Sequence, residues 1–596
     1  MSSDLFKGEF TLAAILKPVT ILAILLLCIT FIGVRYQILG SHFTHVDDVI
    51  PAAYVLHTPE DPSELSDRLQ KYYKERGHDD LPESASILLK LPYPIIRPFI
   101  VGFLISNGTT FAPGQFLLTS LLVNHGQDYE EILYWSRFPS FLCAALSLII
   151  LLMLYREFFR SEELPYVLVG ISLISFSWMH IVYSIFSGSY AAGILAILLA
   201  FLLFFKTLSK SIISNKESFI LGISLSSLMF LNYQLVFFIP GFYLGLLHSM
   251  NWSLTRFLKS YLISIVTVIT SFAALYFVFL AKWMGRGVGY PWETDFIFNL
   301  PSEGIFEAFR YGMVFFLKNI YLVFKSLVGF ANFEWMIVSL FAFVCILLFL
   351  IGILSLAQSH IQKERSFGVF LLSVLGLWFF LVILGVFALP PDRHSLVLLT
   401  IILFYVPIGL KYFVTKILNN NTYSKYIICF AFVSTIIIAF SINYNDTYSA
   451  RKDKFDEKEL LNLYETHDLT HIFTYGNTHN LQLMKFTREE FIESESNYSN
   501  TLTGNEPDFN YVNKHSIKPT TVIFISNQAR LDDKIIERFY KKNNISTMKN
   551  FHLIEKKEIK SETEWNYSNL VPTGYRGTRV TNSLYYYIYR ISGNEQ

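Results

Sequence analysis

Tyr134–Arg160 reads YWSRFPSFLCAALSLIILLMLYREFFR, an apolar run with Arg137 near one end and Arg156 and Arg160 at the other. Crossing about 30 Å of hydrocarbon takes roughly 20 apolar residues in a helix, since lipid offers the backbone no hydrogen bonds. No charge stands between Arg137 and Arg156, so this run has the composition of a membrane-spanning helix. The two arginines at its far end mark that end as cytoplasmic, because cytoplasmic loops carry an excess of Lys and Arg.

The rest of the chain follows the same pattern. Basic residues gather in four connectors: Lys206, Lys210 and Lys216; Arg256 and Lys259; Lys363 and Arg365; Lys411, Lys416 and Lys425. Connectors near Ser187 and Pro391 carry at most one. Alternating these sides predicts an α-helical polytopic membrane protein with about eleven crossings, amino terminus inside and carboxyl end outside. Its first helix runs from about Thr11 to Val34, longer than a signal-peptide core, and a long outer loop follows over residues 35–132. Phe219–His248 reads as two short helices meeting at Asn232–Gln234; one long tilted helix would reverse every later side. FAPGQFLLTSLLV (Phe111–Val123) is too short to span and suits an interfacial helix, and Ile305–Phe330, with Arg310, Lys318 and Lys325, suits a partly interfacial one.

Composition agrees. Of 596 residues 53% are hydrophobic and 16% charged, the net charge is +1, and nothing in that balance points to nucleic acid. Mean hydropathy is +0.41, too apolar for a soluble domain of this length. Cys28, Cys143, Cys345 and Cys429 all fall in apolar runs and read as packing residues. From residue 444 the long apolar runs stop, which divides the chain into a membrane domain, 1–443, and a soluble α/β domain, 444–596. Within the second, TTVIFISN (Thr520–Asn527) and SLYYYIYRI (Ser583–Ile591) read as strands and LDDKIIERFYKKN (Leu531–Asn543) as an amphipathic helix.

Ionisable residues that could carry chemistry stand at the outer mouths. THVDDV (Thr44–Val49) places Asp47 and Asp48 just ahead of Pro51, a residue suited to the first turn of a helix. Two readings are open: an ordinary turn leading into a helix, or a general base that takes a proton from an attacking hydroxyl or amine. His45 beside them makes a divalent metal the weaker third reading. Arg137 is either a snorkelling anchor or a forked donor to phosphate or carboxylate. AKWMGRGVGYPWETDF (Ala281–Phe296) sets Lys282 and Arg286 among aromatics, LPPDRHSLVLLT (Leu389–Thr400) adds Asp392, Arg393 and His394, and Lys90 and Arg97 bracket LPYPII.

An acidic pair after the first helix, an outer loop with a proline-containing interfacial helix, and the RFPS of Arg137–Ser140 together resemble the GT-C superfamily of membrane glycosyltransferases. The branch most similar is that of the protein O-mannosyltransferases and lipid A aminoarabinose transferases, and the resemblance covers roughly Thr11–Tyr444. It implies a polyprenyl-phosphate-sugar donor, a protein, lipid or glycan acceptor, and an inverting displacement at the anomeric carbon. Asp47 is then the base, Asp48 its orienting neighbour, and Arg137, Arg286 and Arg393, with Lys282, Lys90, Arg97 and His394, the ligands of donor phosphate or acceptor. Three positions depart from the family pattern: Ala112-Pro113 replaces Pro-Pro, Phe186–Gly193 lacks a charged residue, and position 48 is Asp rather than Glu. Between a bacterial cytoplasmic membrane and the endoplasmic reticulum the first is the expected location, on no decisive residue.

The competing class is a transporter or flippase for a lipid-linked glycan. Such proteins show internal repeats and ionisable groups near the bilayer midplane, whereas charge here gathers at the helix mouths. The carboxyl-terminal domain carries no nucleophile elbow or glycine-rich phosphate loop, so binding of acceptor or partner suits it better than catalysis.

Overall fold

The computed structural model describes residues 3–39, 51–52, 55, 61–64, 66–67, 70, 92–108, 112–126, 129–210, 213–280, 305–327, 336–384, 395–418 and 422–449. Beyond these it describes 463, 466–467, 469–475, 491–493, 508–513, 521–526, 536–537, 539, 551–560 and 583–591. In chain order the helices are α1 (Ser3–Leu39), α2 (Tyr93–Gly108), α3 (Gly114–Leu122), α4 (Tyr129–Phe158), α5 (Leu164–Phe176), α6 (Trp178–Tyr183), α7 (Tyr190–Leu208) and α8 (Asn215–Leu231). They continue as α9 (Ile239–Ser249), α10 (Leu254–Leu275), α11 (Ile305–Lys325), α12 (Met336–Gln358), α13 (Gln362–Ile383), α14 (Leu396–Tyr412) and α15 (Thr422–Ser449).

Among the described residues eight helices are long and apolar enough to cross a membrane: α1, α4, α7, α10 and α12 to α15. Their outward faces are apolar as well. Leu340, Phe343, Leu347, Leu350 and Leu354 form one exposed stripe along α12, and Leu262, Val266 and Ile269 another along α10. Water would penalise such stripes and lipid does not, so the chain is built as a multi-pass membrane protein.

α14 lies at the centre, buried at every residue from Leu398 to Leu410. Two glycines let it approach α12 closely: a Cβ on Gly352 would meet Tyr405 O at 2.1 Å, and one on Gly409 would meet Leu348 O at 1.8 Å. Close backbone approach at small residues is how helices gain contact where the hydrophobic effect no longer drives association. Around α14 the rings of Phe158, Phe201, Phe367 and Tyr155 pack against Phe404 at centroid distances of 5.4 to 5.8 Å.

The bundle has two chemically distinct ends. At one, Lys363 pairs with Glu157, Lys411 Nζ lies 3.0 Å from Glu163 and 3.1 Å from Phe158 O, Lys425 Nζ donates to Glu162 O at 2.7 Å, and Lys210 pairs with Glu217. His248 at the end of α9 joins this end through Ser366 and Gln362. The basic connectors of the sequence therefore converge in space. At the other end, among the described residues, Arg35, Arg137 and Asn232 meet neutral hydroxyls, amides and carbonyls, and Arg310 pairs with Glu307 at 3.2 Å on the exposed surface of α11.

Three shorter helices reach between these ends. α5 begins beside Lys411 and finishes where Ile174 O accepts from Arg35. α8 starts at the capping box of Ser214 and Glu217 and stops at Asn232, whose extended backbone (φ −157°) breaks the helix. Asn232 Oδ1 accepts from Gln234 N at 2.8 Å and Nδ2 donates to Ser189 O at 3.1 Å, after which α9 returns to His248. The break anticipated at Asn232–Gln234 is thus present, and α8 and α9 are separate helices.

Two boundaries move. The first helix continues past Val34 to Leu39, because no breaker intervenes before Gly40, and so Arg35 belongs to α1 rather than to the loop. The last helix continues to Ser449, beyond the boundary drawn at residue 444.

The carboxyl-terminal region forms a six-stranded sheet from β1 (His471–Tyr475), β2 (Phe491–Glu493), β3 (Asp508–Asn513), β4 (Thr521–Ser526), β5 (Phe551–Lys560) and β6 (Ser583–Ile591), in the order β2-β3-β1-β4-β6-β5. β1 and β4 pair in parallel and the other neighbours antiparallel. Phe473, Phe524 and Phe539 form the core of one face. The two strands read from sequence match β4 and β6; of the anticipated helix 531–543, Ile536, Glu537 and Phe539 are described and helical.

Burial against Phe539 pushes the His471 imidazole down to about 4, so the folded sheet holds it neutral. Its free value is about 6.5, and the unfolded chain therefore takes up a proton first. The sheet loses stability as pH falls from about 6.5 to about 4, by at most about 3 kcal/mol, with no further loss from this group below that. Hydrogen exchange of the β1 and β4 amides in the full chain at pH 7 and pH 4.5 reads the loss, and His471→Gln removes it.

Candidate functional site

The neutral end is built from α1 outward. Arg35 stands four residues after Phe31 on the same face of α1, and its guanidinium carbon lies 3.6 Å from the Phe31 ring centroid. It is fully buried. Nε donates to Ser184 Oγ (3.1 Å), Nη1 to Phe31 O (3.1 Å) and Ser175 O (3.4 Å), and Nη2 to Ile174 O (3.0 Å) and His180 Nδ1 (2.6 Å). All five N–H donors of the guanidinium are thereby engaged.

No carboxylate among the described residues pairs with Arg35. Its charge is met instead by the last carbonyls of α5, which have no partner within their own helix and carry the negative end of its dipole. Because a guanidinium does not give up its proton in a protein, His180 Nδ1 accepts and the ring proton sits on Nε2. Ser177 caps α6 by accepting from His180 N, which turns the histidine back toward α1.

Arg137 is also fully buried, and its Nη1 donates to Leu39 O at 3.2 Å. Of its two sequence readings, the snorkelling anchor does not describe this geometry. Ser140, one turn further along α4, donates to Phe186 O, and Gln115 Nε2 on α3 donates to Ser140 Oγ at 2.6 Å and Ser187 O at 3.0 Å. The RFPS segment therefore ties α3 and the 186–188 turn to the end of α1. Arg97, on α2, is buried and donates through Nη2 to Val55 O at 2.9 Å. Val55, with Pro51 and Ala52, is helical and buried, in keeping with a helix starting at Pro51.

Two of the cations singled out in the sequence are thus brought to the two flanks of residues 40–50: Arg137 holds the backbone just before the segment and Arg97 just after it. Asp47, Asp48, His45, Lys90, Lys282, Arg286, Arg393 and His394 lie outside the described residues. Among the described residues no group of three His, Cys, Asp or Glu side chains converges on a metal position. The four cysteines are free, three of them buried and Cys28 half-buried.

Arg35 and His180 escaped the sequence reading, because Arg35 closes an apolar run and looked like the first loop residue. The signal was the absence of Gly or Pro between Val34 and Gly40, which lets the helix run on through Arg35, four residues after Phe31. Comparison with protein-family models and with curated proteins found no match.

Replacing Arg35 by Gln strands several buried acceptors at once. Thermal unfolding of the detergent-solubilised chain is expected to show a loss of at least about 3 kcal/mol. Arg35→Lys restores little of it, since an ammonium has three donors where the site needs five.

Proposed function

We propose that this chain is an integral membrane glycosyltransferase that moves a sugar from a polyprenyl-phosphate donor to a protein, lipid or glycan acceptor at the outer face. The observation that carries this reading is the pair of buried arginines, Arg137 and Arg97, gripping the backbone on either side of the segment that holds Asp47 and Asp48. A catalytic carboxylate needs a fixed position relative to its substrate, and anchoring the chain on both sides of it is a direct way to supply one. It is harder to see what an ordinary connecting turn gains from two buried guanidinium contacts. The resemblance of Asp47-Asp48 and Arg137–Ser140 to the GT-C pattern supports the same reading.

Topology is consistent with it. Eight helices are long and apolar enough to cross a membrane, and the proposed topology adds α5, α8 and α9 as three further passages, for the eleven expected from charge. In the proposed orientation the basic end is cytoplasmic and the end that holds Arg35 and Arg137 faces outward.

In the proposed reaction Asp47 takes the proton of an acceptor hydroxyl or amine as that atom attacks the anomeric carbon. The bond from this carbon to the phosphate oxygen breaks, the lipid phosphate leaves with the electron pair, and configuration inverts. Asp48 orients Asp47 or the acceptor. Lys282, Arg286, Arg393, Lys90 and His394 are the proposed contacts to the departing phosphate, while the described contacts of Arg137 and Arg97 fit them for positioning the loop. A bacterial cytoplasmic membrane is the proposed location.

Asp47→Asn is expected to lower sugar transfer at least about 100-fold without loss of protein, the scale of a general-base contribution. The assay is release of bare lipid phosphate from polyprenyl-phosphate sugars by membranes carrying the chain, paired with glycan and lipid analysis of cells with and without it. Normal turnover in Asp47→Asn removes that residue from the role, and normal turnover with both aspartates changed removes the site.

A further inference from the structure

Helix α3 carries two polar side chains whose bonding is unfinished. Gln115 and Thr119 stand one turn apart on its buried face, 2% and 0% exposed. Gln115 Oε1 and Thr119 Oγ1 are both buried without a hydrogen-bond partner. Most buried polar atoms find partners, and leaving one without costs about 1–3 kcal/mol, so two adjacent cases on one helix face need a reason.

The orientation of the Gln115 amide follows from its surroundings. Ser187 O only accepts, and Ser140 Oγ already gives its proton to Phe186 O, so both must receive an N–H, and both amide protons are used. Oε1 is left as a pure acceptor. Thr119 differs from other helix threonines here. Thr20, Thr207 and Thr415 each donate to the carbonyl four residues back, at 2.7 to 2.8 Å, whereas the Thr119 hydroxyl makes no such bond. It keeps one donor and its acceptor lone pairs.

This inventory selects a ligand. A phosphate at neutral pH chiefly accepts, and it would be repelled by Gln115 Oε1. A metal cation would leave the Thr119 proton unused. A group that both donates and accepts satisfies the two atoms together; a bridging water does so, and a pair of neighbouring ring hydroxyls does so by taking its place. Side chains at i and i+4 have Cβ atoms about 5–6 Å apart, within reach of one small ring. The position also fits: Gln115 is bonded to Ser140, three residues and one turn from Arg137, which holds the end of α1.

We propose that Gln115 Oε1 and Thr119 Oγ1 form the hydroxyl-recognising subsite for the sugar, separate from the cations that meet its phosphate. This rests on the glycosyl-transfer reading and deepens it: the specificity of the enzyme for the sugar ring is set on α3. The sugar gives a hydroxyl proton to Gln115 Oε1 and exchanges a second hydrogen bond with Thr119.

Thr119→Val tests it, since valine keeps the shape and removes only the hydroxyl. The full chain in lipid nanodiscs is titrated with polyprenyl phosphate bearing glucose, mannose, galactose or arabinose and with bare polyprenyl phosphate, while turnover of each sugar is measured in parallel. The expected result is that at least one sugar-bearing lipid binds more tightly than the bare phosphate. In Thr119→Val this difference falls about ten-fold, binding of the bare phosphate is unchanged, and the melting temperature does not fall. If the sugar-dependent difference survives in Thr119→Val, the subsite is wrong while the transferase reading stands. If turnover occurs with sugar-bearing and bare lipid bound equally, hydroxyl recognition in the ground state is overturned and the transferase reading again stands. If no lipid-linked sugar binds or turns over, both fall.

Discussion

A guanidinium buried without a carboxylate is costly unless every one of its N–H groups finds an acceptor, and Arg35 meets that condition by taking acceptors from four places in the chain. It bonds a carbonyl of its own helix, the two free carbonyls at the end of α5, the imidazole of α6 and the hydroxyl of Ser184. The contact therefore fixes the last turns of α1 against α5 and α6. Leu39 O, one turn beyond Arg35, is in turn the anchor of Arg137. Ser140 and Gln115 extend the network to the 186–188 turn and α3, and Asn232 closes it onto Ser189. Loss of the first link loosens each of the others, because they follow one another along the same chain of hydrogen bonds.

The two ends of the bundle solve the problem of placing cations next to a membrane in different ways. At the basic end lysines reach carboxylates and helix-terminal carbonyls, partly exposed, where solvent screens each pair and its individual worth is small. Many such contacts together settle which connectors lie side by side. At the other end Arg35 and Arg137 are fully enclosed, so geometry matters more than number, and each of the five Arg35 donors is matched to an acceptor. That difference fits the proposed reading, in which one end sets sidedness and the other holds a site.

Within that site the bookkeeping of hydrogen bonds is more informative than the charges. Arg35 has no donor left over, so it builds the scaffold. Gln115 Oε1 and Thr119 Oγ1 have capacity left over, and the proposed hydroxyl subsite rests on it. Both residues sit inside a segment whose apolar character was plain in the sequence and whose polar face was not, because only packing against α4 and the 186–188 turn turns that face inward.

The sequence by itself determined that the chain is a helical multi-pass membrane protein, and it determined the strands β4 and β6. Lipid demands about 20 apolar residues per crossing, and a buried strand shows as a short β-branched and aromatic run. The break at Asn232 was legible for the same local reason, a polar cluster between two apolar halves. Arg97 and Arg137 were legible as candidates, but not that each would hold a carbonyl flanking residues 40–50. That was decided by the tertiary structure alone, as were the burial of the thirteen-residue α5, the glycine contact of α12 with α14, and the entire role of Arg35. Each depends on an acceptor or a surface supplied by chain far away in sequence, such as His180, 145 residues from Arg35, and no local pattern carries that information.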